Sequence, residues 1–215
     1  MPVWILGAII KMDENKLMRR VIKPAVFLSA MFPFVWLGSD ALRGTLGFNP
    51  VEELTHRTGF WTLVLLIATL SVTPLMQVTG FGRLIRVRRM VGLFAFSYAL
   101  SHLLVYVTLD RFFEFDTVLE DIAERPYITV GFACFLILLA LAVTSTKGWI
   151  KRMGGKRWAN LHSLIYLAAG GGVLHFLWLV KADTRRPVVF GLILVILLMM
   201  RLSVVKKLLR KRGGG

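Results

Sequence analysis

Cysteine and acidic residues are both scarce in this sequence. Its 215 residues include a single cysteine, Cys134, which lies inside an apolar run. An internal disulfide and a cysteine-ligated zinc or iron–sulfur site are therefore excluded. Any metal ion must be bound by histidine or oxygen. The sequence also shows no Walker-type or Rossmann glycine fingerprint and no polar stretch long enough for a nucleotide-binding domain.

Charged residues are infrequent in this chain. Charged residues make up 18% and hydrophobic residues 56%, with a mean hydropathy of +0.68, whereas soluble domains carry about 25% charged residues. This composition excludes a soluble globular protein. The 27 lysines and arginines exceed the 12 aspartates and glutamates, which gives a net charge of +15. On a soluble chain this excess would indicate nucleic-acid binding, but here the basic residues lie between long apolar runs and are interpreted as signals of membrane topology.

Six apolar stretches are candidates to cross a bilayer. A hydrocarbon core of about 30 Å needs about 20 mostly apolar helical residues, because every backbone amide must find its partner within the segment. The predicted fold class is therefore an all-α integral membrane protein, a bundle of six transmembrane helices. The predicted spans run from Pro24 to Ser39, Gly59 to Val78, Met90 to Leu109, Tyr127 to Ser145, Trp158 to Val180 and Pro187 to Val205.

Basic residues predict which side of the membrane each connection occupies. Short connections rich in lysine and arginine stay in the cytoplasm. Two connections have this character, Arg83 to Arg89 after the second span and Lys147 to Arg157 after the fourth, and both are predicted to be cytoplasmic. Residues 110–125, after the third span, hold six acidic and two basic residues and are predicted to be external. The mildly basic connection from Lys181 to Arg186 is also placed outside, against this trend.

This topology places both termini in the cytoplasm and divides the chain into three parts. Residues 1–23 are predicted to form a cytoplasmic or interfacial N-terminal segment. Residues 24–205 form the six-helix transmembrane domain, and residues 206–215 form a basic cytoplasmic tail.

The second and third spans resemble the fourth and fifth. The same four features occur in the same order in both halves: a Gly-Phe pair, a Val-Thr pair, a basic connection and a histidine. In the first half they are Gly59-Phe60, Val72-Thr73 and His102, and in the second Gly131-Phe132, Val143-Thr144 and His175. Parallel repeats often enclose a central site in membrane proteins. Apolar helices also resemble each other by chance, so the sequence leaves both interpretations open.

Three of the four histidines, His102, His162 and His175, lie within predicted spans, where an ionisable side chain is costly and usually has a partner. His102 lies eight residues before Asp110 and His175 six residues before Lys181, each near the outer end of its span. At about 1.5 Å per residue their depths differ by about 3 Å. Two imidazoles at one level can be the axial ligands of a haem iron, which then transfers electrons and does not bind oxygen. The alternative is that each histidine only hydrogen-bonds a neighbouring helix.

The other two histidines have different candidate roles. His162 lies thirteen residues before His175, about 20 Å nearer the predicted cytoplasmic side, and is assigned to a second or alternative haem. The corresponding position on the third span is Arg88, which can pair with a haem propionate or a phosphate but is a poor iron ligand. His56 precedes the second span, either as an ordinary interfacial side chain or as a residue near the outer haem or a docking partner.

Ordered motifs on five consecutive spans or their edges resemble a known family. From about Leu17 to Lys207, the chain resembles the MsrQ/YedZ family of haem-binding membrane subunits of the periplasmic protein-methionine-sulfoxide reductase system, within the ferric-reductase-like transmembrane superfamily. The motifs are Glu53-Leu54-Thr55-His56-Arg57-Thr58-Gly59, Ser71-Val72-Thr73-Pro74-Leu75, Arg88-Arg89-Met90-Val91-Gly92-Leu93 through His102, Arg125-Pro126-Tyr127-Ile128-Thr129-Val130-Gly131, Leu141-Ala142-Val143-Thr144-Ser145, and Trp158-Ala159-Asn160-Leu161-His162 through His175.

The resemblance implies a multi-pass cytochrome of the bacterial inner membrane with one haem b, or two. It implies electron transfer from a cytoplasmic flavin reductase or the quinone pool to a periplasmic molybdenum-containing catalytic subunit, which repairs oxidised methionine in envelope proteins. His102, His162 and His175 fall on the family's haem-associated histidines. FMN is implied as a second cofactor, with its phosphate at the basic cytoplasmic connections. The wider superfamily has two histidines on each of two helices, and Arg88 stands where the fourth is expected, which argues against a second bis-histidine haem.

Two other functions remain open on the sequence. One is a stand-alone ferric or quinone reductase-type membrane cytochrome that needs no molybdenum partner. The other is a transporter or anchor without haem, whose histidines bind protons or stabilise helix packing. In the leading interpretation the chain is an electron-transfer subunit, and the substrate chemistry belongs to its partner.

Overall fold

The computed structural model describes residues 14–180 and 182–201. Within these residues every regular element is a helix. Five helical segments are long and apolar enough to cross a membrane: Glu14–Arg43, Pro50–Thr79, Gly82–Asp110, Pro126–Val143 and Gly155–Leu179. The prediction of an all-helical, multi-pass membrane protein is confirmed.

The helices are numbered here in chain order. They are α1 Glu14–Arg43, α2 Pro50–Thr79, α3 Gly82–Asp110, α4 Phe115–Glu124, α5 Pro126–Val143, α6 Lys147–Met153, α7 Gly155–Leu179 and α8 Arg185–Met199. Three of them depart from a uniform α-helix. α1 contains a π-helical turn at Met18–Ile22, α3 ends in a π-helical segment at Tyr106–Asp110, and α7 is interrupted by a turn at residues 163 and 164.

The sixth predicted span corresponds to α8. Its described part, Arg185–Met199, has 15 residues and packs against α7 and α2. The predicted span continues to Val205, and residues 202–205 lie outside the described part of the chain. The six-helix count therefore stays a prediction. Most of the predicted N-terminal segment and the whole basic tail also lie outside the described residues.

Local sequence sets where the long helices begin and end. The side-chain oxygen of Asn49 accepts a hydrogen bond of 3.2 Å from the Glu52 amide, and Pro50 follows at the first helical position of α2. The helix ends at Gly80, whose φ of 71° lies in the left-handed region that favours glycine. Pro126 likewise stands at the start of α5, but there the N-cap residue Arg125 makes no side-chain capping hydrogen bond. Both starts lie at the same end of the bundle.

Two helix pairs, α2 with α3 and α5 with α7, make the most extensive contacts and form the core together. Small residues lie between them: Ala168 is fully buried, and a β-carbon at Gly172 would lie 3.5 Å from Leu63. Small side chains let helices approach closely where lipid provides no hydrophobic force between them. α1 packs outside this core, where the buried hydroxyl of Tyr98 donates a 2.9 Å hydrogen bond to the Ala30 carbonyl.

The two ends of the bundle differ in charge. We call the end with residues 110–125 the acidic end, and the end with residues 80–89 and 144–157 the basic end. α3 and α7 both run from the basic end to the acidic end. That the acidic end faces outward, with both termini in the cytoplasm, stays a prediction.

Candidate functional site

His102 on α3 and His175 on α7 face each other near the acidic end. Their ring centres are 6.2 Å apart, and their planes are nearly perpendicular at 86°. The helices that carry them belong to the two different pairs of the core. The structure therefore brings together the two histidines that the sequence placed at one depth.

A backbone carbonyl holds each of these rings through the same nitrogen. His102 Nδ1 lies 2.8 Å from the Thr55 carbonyl oxygen, and His175 Nδ1 lies 2.6 Å from the Tyr127 carbonyl oxygen. A carbonyl can only accept, so Nδ1 must donate its proton in both rings. In a neutral imidazole the Nε2 lone pair is then available to a metal, an arrangement typical of metal-binding histidines. The two halves of the repeat share this geometry.

Each histidine ring also lies against a glycine. A β-carbon at Gly59 would lie 3.1 Å from Nδ1 of His102, and one at Gly131 would lie 2.8 Å from Nδ1 of His175. A larger residue at position 131 would displace the ring of His175, whereas one at position 59 would require His102 to move by a few tenths of an ångström. This gives a structural reason for the two glycines of the repeat, whose role the sequence alone does not indicate.

A cavity of about 500 Å³ lies between α2, α3, α5 and α7, and both histidines line it. Its walls are mainly apolar and include Leu63, Leu66, Phe135 and Leu138. Cavities of about 300–1,000 Å³ with a few convergent polar groups are typical cofactor sites.

The donor set fits a haem better than a bare metal ion. Two imidazoles on opposite sides of one metal have ring centres about 6 Å apart, because a metal–imidazole bond is about 2 Å and the ring centre lies about 1 Å beyond the nitrogen. The 6.2 Å separation of His102 and His175 matches this value. The described residues contain no group of three or more His, Cys, Asp or Glu side chains that could hold a metal ion. A porphyrin supplies the four missing ligands itself.

A buried carboxylate lies at the acidic end of the cavity. Asp121 on α4 is 5% exposed and accepts hydrogen bonds from the Tyr106 hydroxyl, Arg111 Nη2 and Arg125 Nε at 2.6, 2.6 and 2.9 Å. Contacts with the Tyr106 hydroxyl and with Asp121 raise the pKa of Arg111 above its ordinary value. The sequence alone indicates Asp121, Arg111 and Arg125 only as charges of an external connection, because nothing in it pairs them.

His162 lies apart from this cavity, toward the basic end of α7. Its Nε2 is 3.1 Å from the Thr144 hydroxyl, and its ring stacks on Trp158 with centres 4.0 Å apart. Trp158 also donates a 2.9 Å hydrogen bond to the Thr144 carbonyl. The hydrogen bonds of His162 and of Trp158 thus both go to Thr144, the residue that directly follows α5.

Arg88 lies in the same half of the bundle as His162, within electrostatic range of that ring and of Arg201. Arg201 donates hydrogen bonds to the Tyr166 hydroxyl and to the Leu70 carbonyl. The structure does not place a second histidine opposite His162 in the described residues. His56 is exposed at the opposite end, where it lines the mouth of the cavity that contains His102.

Comparison with known proteins agrees with this architecture. The family model described as "Ferric reductase like transmembrane component" matches residues 58–173. This region contains His102 and His162 and ends two residues before His175. No solved structure matches the chain.

Three relatives share the name "Protein-methionine-sulfoxide reductase heme-binding subunit MsrQ". The relative from Rhodospirillum rubrum is 47% identical over 208 residues, which cover 97% of each chain. The one from Herminiimonas arsenicoxydans is 46% identical over 183 residues, 84% of each chain. The one from Xanthomonas axonopodis pv. citri is 50% identical over 178 residues, 82% of this chain and 79% of the relative. The chain therefore belongs to the MsrQ family, within the ferric reductase-like transmembrane proteins.

Proposed function

We propose that this chain is a transmembrane b-type cytochrome, the haem-binding and electron-transferring subunit of a protein-methionine-sulfoxide reductase. Its relatives are named as heme-binding subunits of that enzyme. The observation that carries the proposal is the pair of His102 and His175, which face one apolar cavity with each Nδ1 held by a carbonyl.

In this proposal His102 and His175 bind the haem iron through Nε2. The hydrogen bonds to the Thr55 and Tyr127 carbonyls keep each ring oriented and fix its tautomer. A bound haem would serve as a reversible one-electron carrier within the bundle. With His102 and His175 both holding the iron, a bound haem would be suited to electron transfer and not to oxygen binding.

Electrons pass outward in this proposal. The donor is a cytoplasmic flavin reductase or the quinone pool, and the acceptor is a periplasmic molybdenum-containing catalytic subunit that reduces methionine sulfoxide in oxidised envelope proteins. This assignment rests on the family and on the predicted orientation in the bacterial inner membrane. FMN is proposed as a second cofactor, with its phosphate at the basic connections, around Arg86 to Arg89 and Lys151 to Arg157.

His162 is proposed as a ligand of a second haem nearer the basic end. It lies on the same helix as His175 but outside the cavity of the histidine pair. Arg88, within electrostatic range of His162, would contact a propionate or a phosphate there. Guanidinium groups bind such anions well and iron poorly.

Optical spectroscopy of the detergent-purified protein tests the cytochrome proposal. We expect the dithionite-reduced minus oxidised spectrum to show a low-spin b-type haem, and a pyridine-haemochrome assay to give one haem per chain, or two if His162 binds a second. A colourless protein that takes up no added haem would refute the proposal and favour a transporter or anchor.

A membrane-vesicle assay separates the proposal from a stand-alone reductase. We expect vesicles that contain only this chain to reduce an external ferric chelate poorly and not to reduce methionine sulfoxide. Vesicles that also contain the catalytic subunit should reduce methionine sulfoxide. Rapid reduction of the chelate without that subunit would favour the stand-alone reductase.

A further inference from the structure

Asp121 forms a hydrogen-bonded cluster that the haem ligands do not explain. Among the described residues it is the one acidic residue that is buried, at 5% exposed, and two arginines and a tyrosine donate to it. Burying a carboxylate is costly unless charged or polar partners compensate it. Four polar side chains are therefore held in one arrangement at the end of α3 and around α4.

The three donors of this cluster also form part of the cavity wall. Tyr106, Arg111 and Arg125 all line the cavity that contains the histidine pair. Tyr106 lies one helical turn after His102, and Arg125 lies two residues before Tyr127, whose carbonyl holds His175. The cluster is thus connected to His102 along α3 and to His175 through the Tyr127 carbonyl.

The two guanidinium groups of the cluster carry more N–H donors than the carboxylates around them engage. Two guanidinium groups share the single buried carboxylate of Asp121, which engages Nη2 of Arg111 and Nε of Arg125. Nε of Arg111 is buried and has no hydrogen-bond partner in the described structure. Asp110 is its nearest other carboxylate, at 3.5 Å, and is about half exposed. The cluster therefore has guanidinium donors left for a further anion at the cavity.

We propose that Arg111 and Arg125 bind the two carboxylate side chains of the haem, and that Asp121 is the positioning residue that holds both guanidinium groups in place. Arg111 and Arg125 would then hold the carboxylates of a bound haem at the acidic end of the bundle. This inference rests on the proposed function, because it requires a haem in this cavity. The chemistry matches, since guanidinium groups bind carboxylates through paired, charge-assisted hydrogen bonds.

The cluster would also influence the reduction potential of the haem. Reduction adds one electron, so a nearby positive charge favours the reduced state and a nearby negative charge disfavours it. Loss of a guanidinium should therefore lower the midpoint potential, and loss of the Asp121 charge should raise it. A general loosening of the cavity would not produce opposite signs.

Redox titration of purified protein variants tests this inference. We expect Arg111→Gln and Arg125→Gln to lower the midpoint potential and to weaken haem binding about tenfold, since hydrogen bonds to charged groups are strong. Asp121→Asn should raise the potential. Arg125→Lys keeps the charge and should restore the potential more fully than the haem affinity, because lysine lacks the planar pair of donors.

The chain offers a matched control at the same end of the bundle. Arg57 donates a 2.8 Å hydrogen bond to Asp40, but neither residue lines the cavity of the histidine pair. Arg57→Gln and Asp40→Asn should therefore leave both the midpoint potential and the haem affinity at wild-type values.

A milder variant covers the case in which Asp121→Asn fails to fold. Tyr106→Phe removes one of the three hydrogen bonds to Asp121 and no charge, and we expect it to weaken haem binding without lowering the potential as Arg125→Gln does. The inference would be overturned if both arginine variants had wild-type midpoint potentials and haem affinities. It would also be overturned if Arg125→Gln and Asp121→Asn shifted the midpoint potential in the same direction. In either case the cytochrome proposal would stand. A wild-type protein without haem would overturn both.

Discussion

Gly131 lies directly against the ring of His175. A β-carbon at residue 131 would be 2.8 Å from Nδ1 and 2.9 Å from Cε1 of that histidine. Gly131 lies four residues after Tyr127, whose carbonyl holds the ring, and Gly59 lies four residues after Thr55, which holds His102. In each half of the core, one turn of helix therefore provides both the hydrogen-bond acceptor and the space for a histidine.

Gly131→Ala should impair haem binding. The added methyl group would overlap the His175 ring, and overpacking of this kind costs about 1–3 kcal/mol. We expect a lower haem content per chain and a fraction of high-spin haem in the oxidised spectrum, because the displaced imidazole no longer binds well. Gly59→Ala should have a smaller effect, since its β-carbon would be 3.1 Å from the His102 ring.

Gly38→Ala is the matched control for these variants. Gly38 also lies inside a helix, and nothing lies within 4 Å of a β-carbon there. Haem content and spin state should equal those of the wild type. If Gly131→Ala also behaves as the wild type, the ring does not need its present position for binding.

Hydropathy was sufficient to predict the long apolar helices. It predicted neither the short helices α4 and α6, which fall in predicted connections, nor the contacts that orient the histidines. A long apolar run must be helical in a bilayer whatever its neighbours are, so α2, α3, α5 and α7 follow from composition. The equal depth of His102 and His175 follows from counting residues along two helices. The carbonyls of Thr55 and Tyr127 have no sequence signature, because which carbonyl meets a ring depends on the rotation of one helix against another.

Asp121 shows a second limit of sequence reasoning. It belongs to an acidic segment whose charges are sufficiently explained by membrane orientation, so nothing distinguished it from Glu120 or Glu124. Only the packing of α4 over the cavity buries Asp121 and leaves those two neighbours exposed. Its burial, and not its charge, identifies it as a residue of interest.

His102→Ala and His175→Ala should each abolish the signal of the haem that the two residues share. A single remaining imidazole leaves the iron with an open axial position, so any retained haem should become high-spin. Exogenous imidazole should restore part of the low-spin spectrum, since the substitution leaves space for it. We would measure the optical and electron paramagnetic resonance spectra of each purified variant.

His56→Ala is the control for the histidine variants. His56 also lines this cavity, at an exposed position, but it is not one of the two proposed iron ligands, so its loss should leave the haem low-spin. Retention of a wild-type low-spin spectrum in both His102→Ala and His175→Ala would rule out the proposed axial pair.

His162→Ala should separate the two haem assignments. If His162 binds a second haem, the pyridine-haemochrome assay should fall from two haems per chain to one, with the low-spin signal of the His102 and His175 haem retained. Thr144→Val removes only the hydroxyl that lies 3.1 Å from Nε2 of His162 and should reduce the second signal less. A wild-type haem count in His162→Ala would leave this histidine with a packing role against Trp158.

Cysteine labelling can determine the orientation of the bundle. The only cysteine, Cys134, is buried, so the wild-type protein should react poorly with a membrane-impermeant maleimide. Phe48→Cys, at a fully exposed position between α1 and α2, should be labelled in intact spheroplasts. Lys151→Cys, on α6 at the basic end, should be labelled only after the membrane is permeabilised. This pattern is expected because basic connections are retained on the cytoplasmic side. The reverse labelling pattern would place the histidine pair near the cytoplasm and would contradict outward electron transfer.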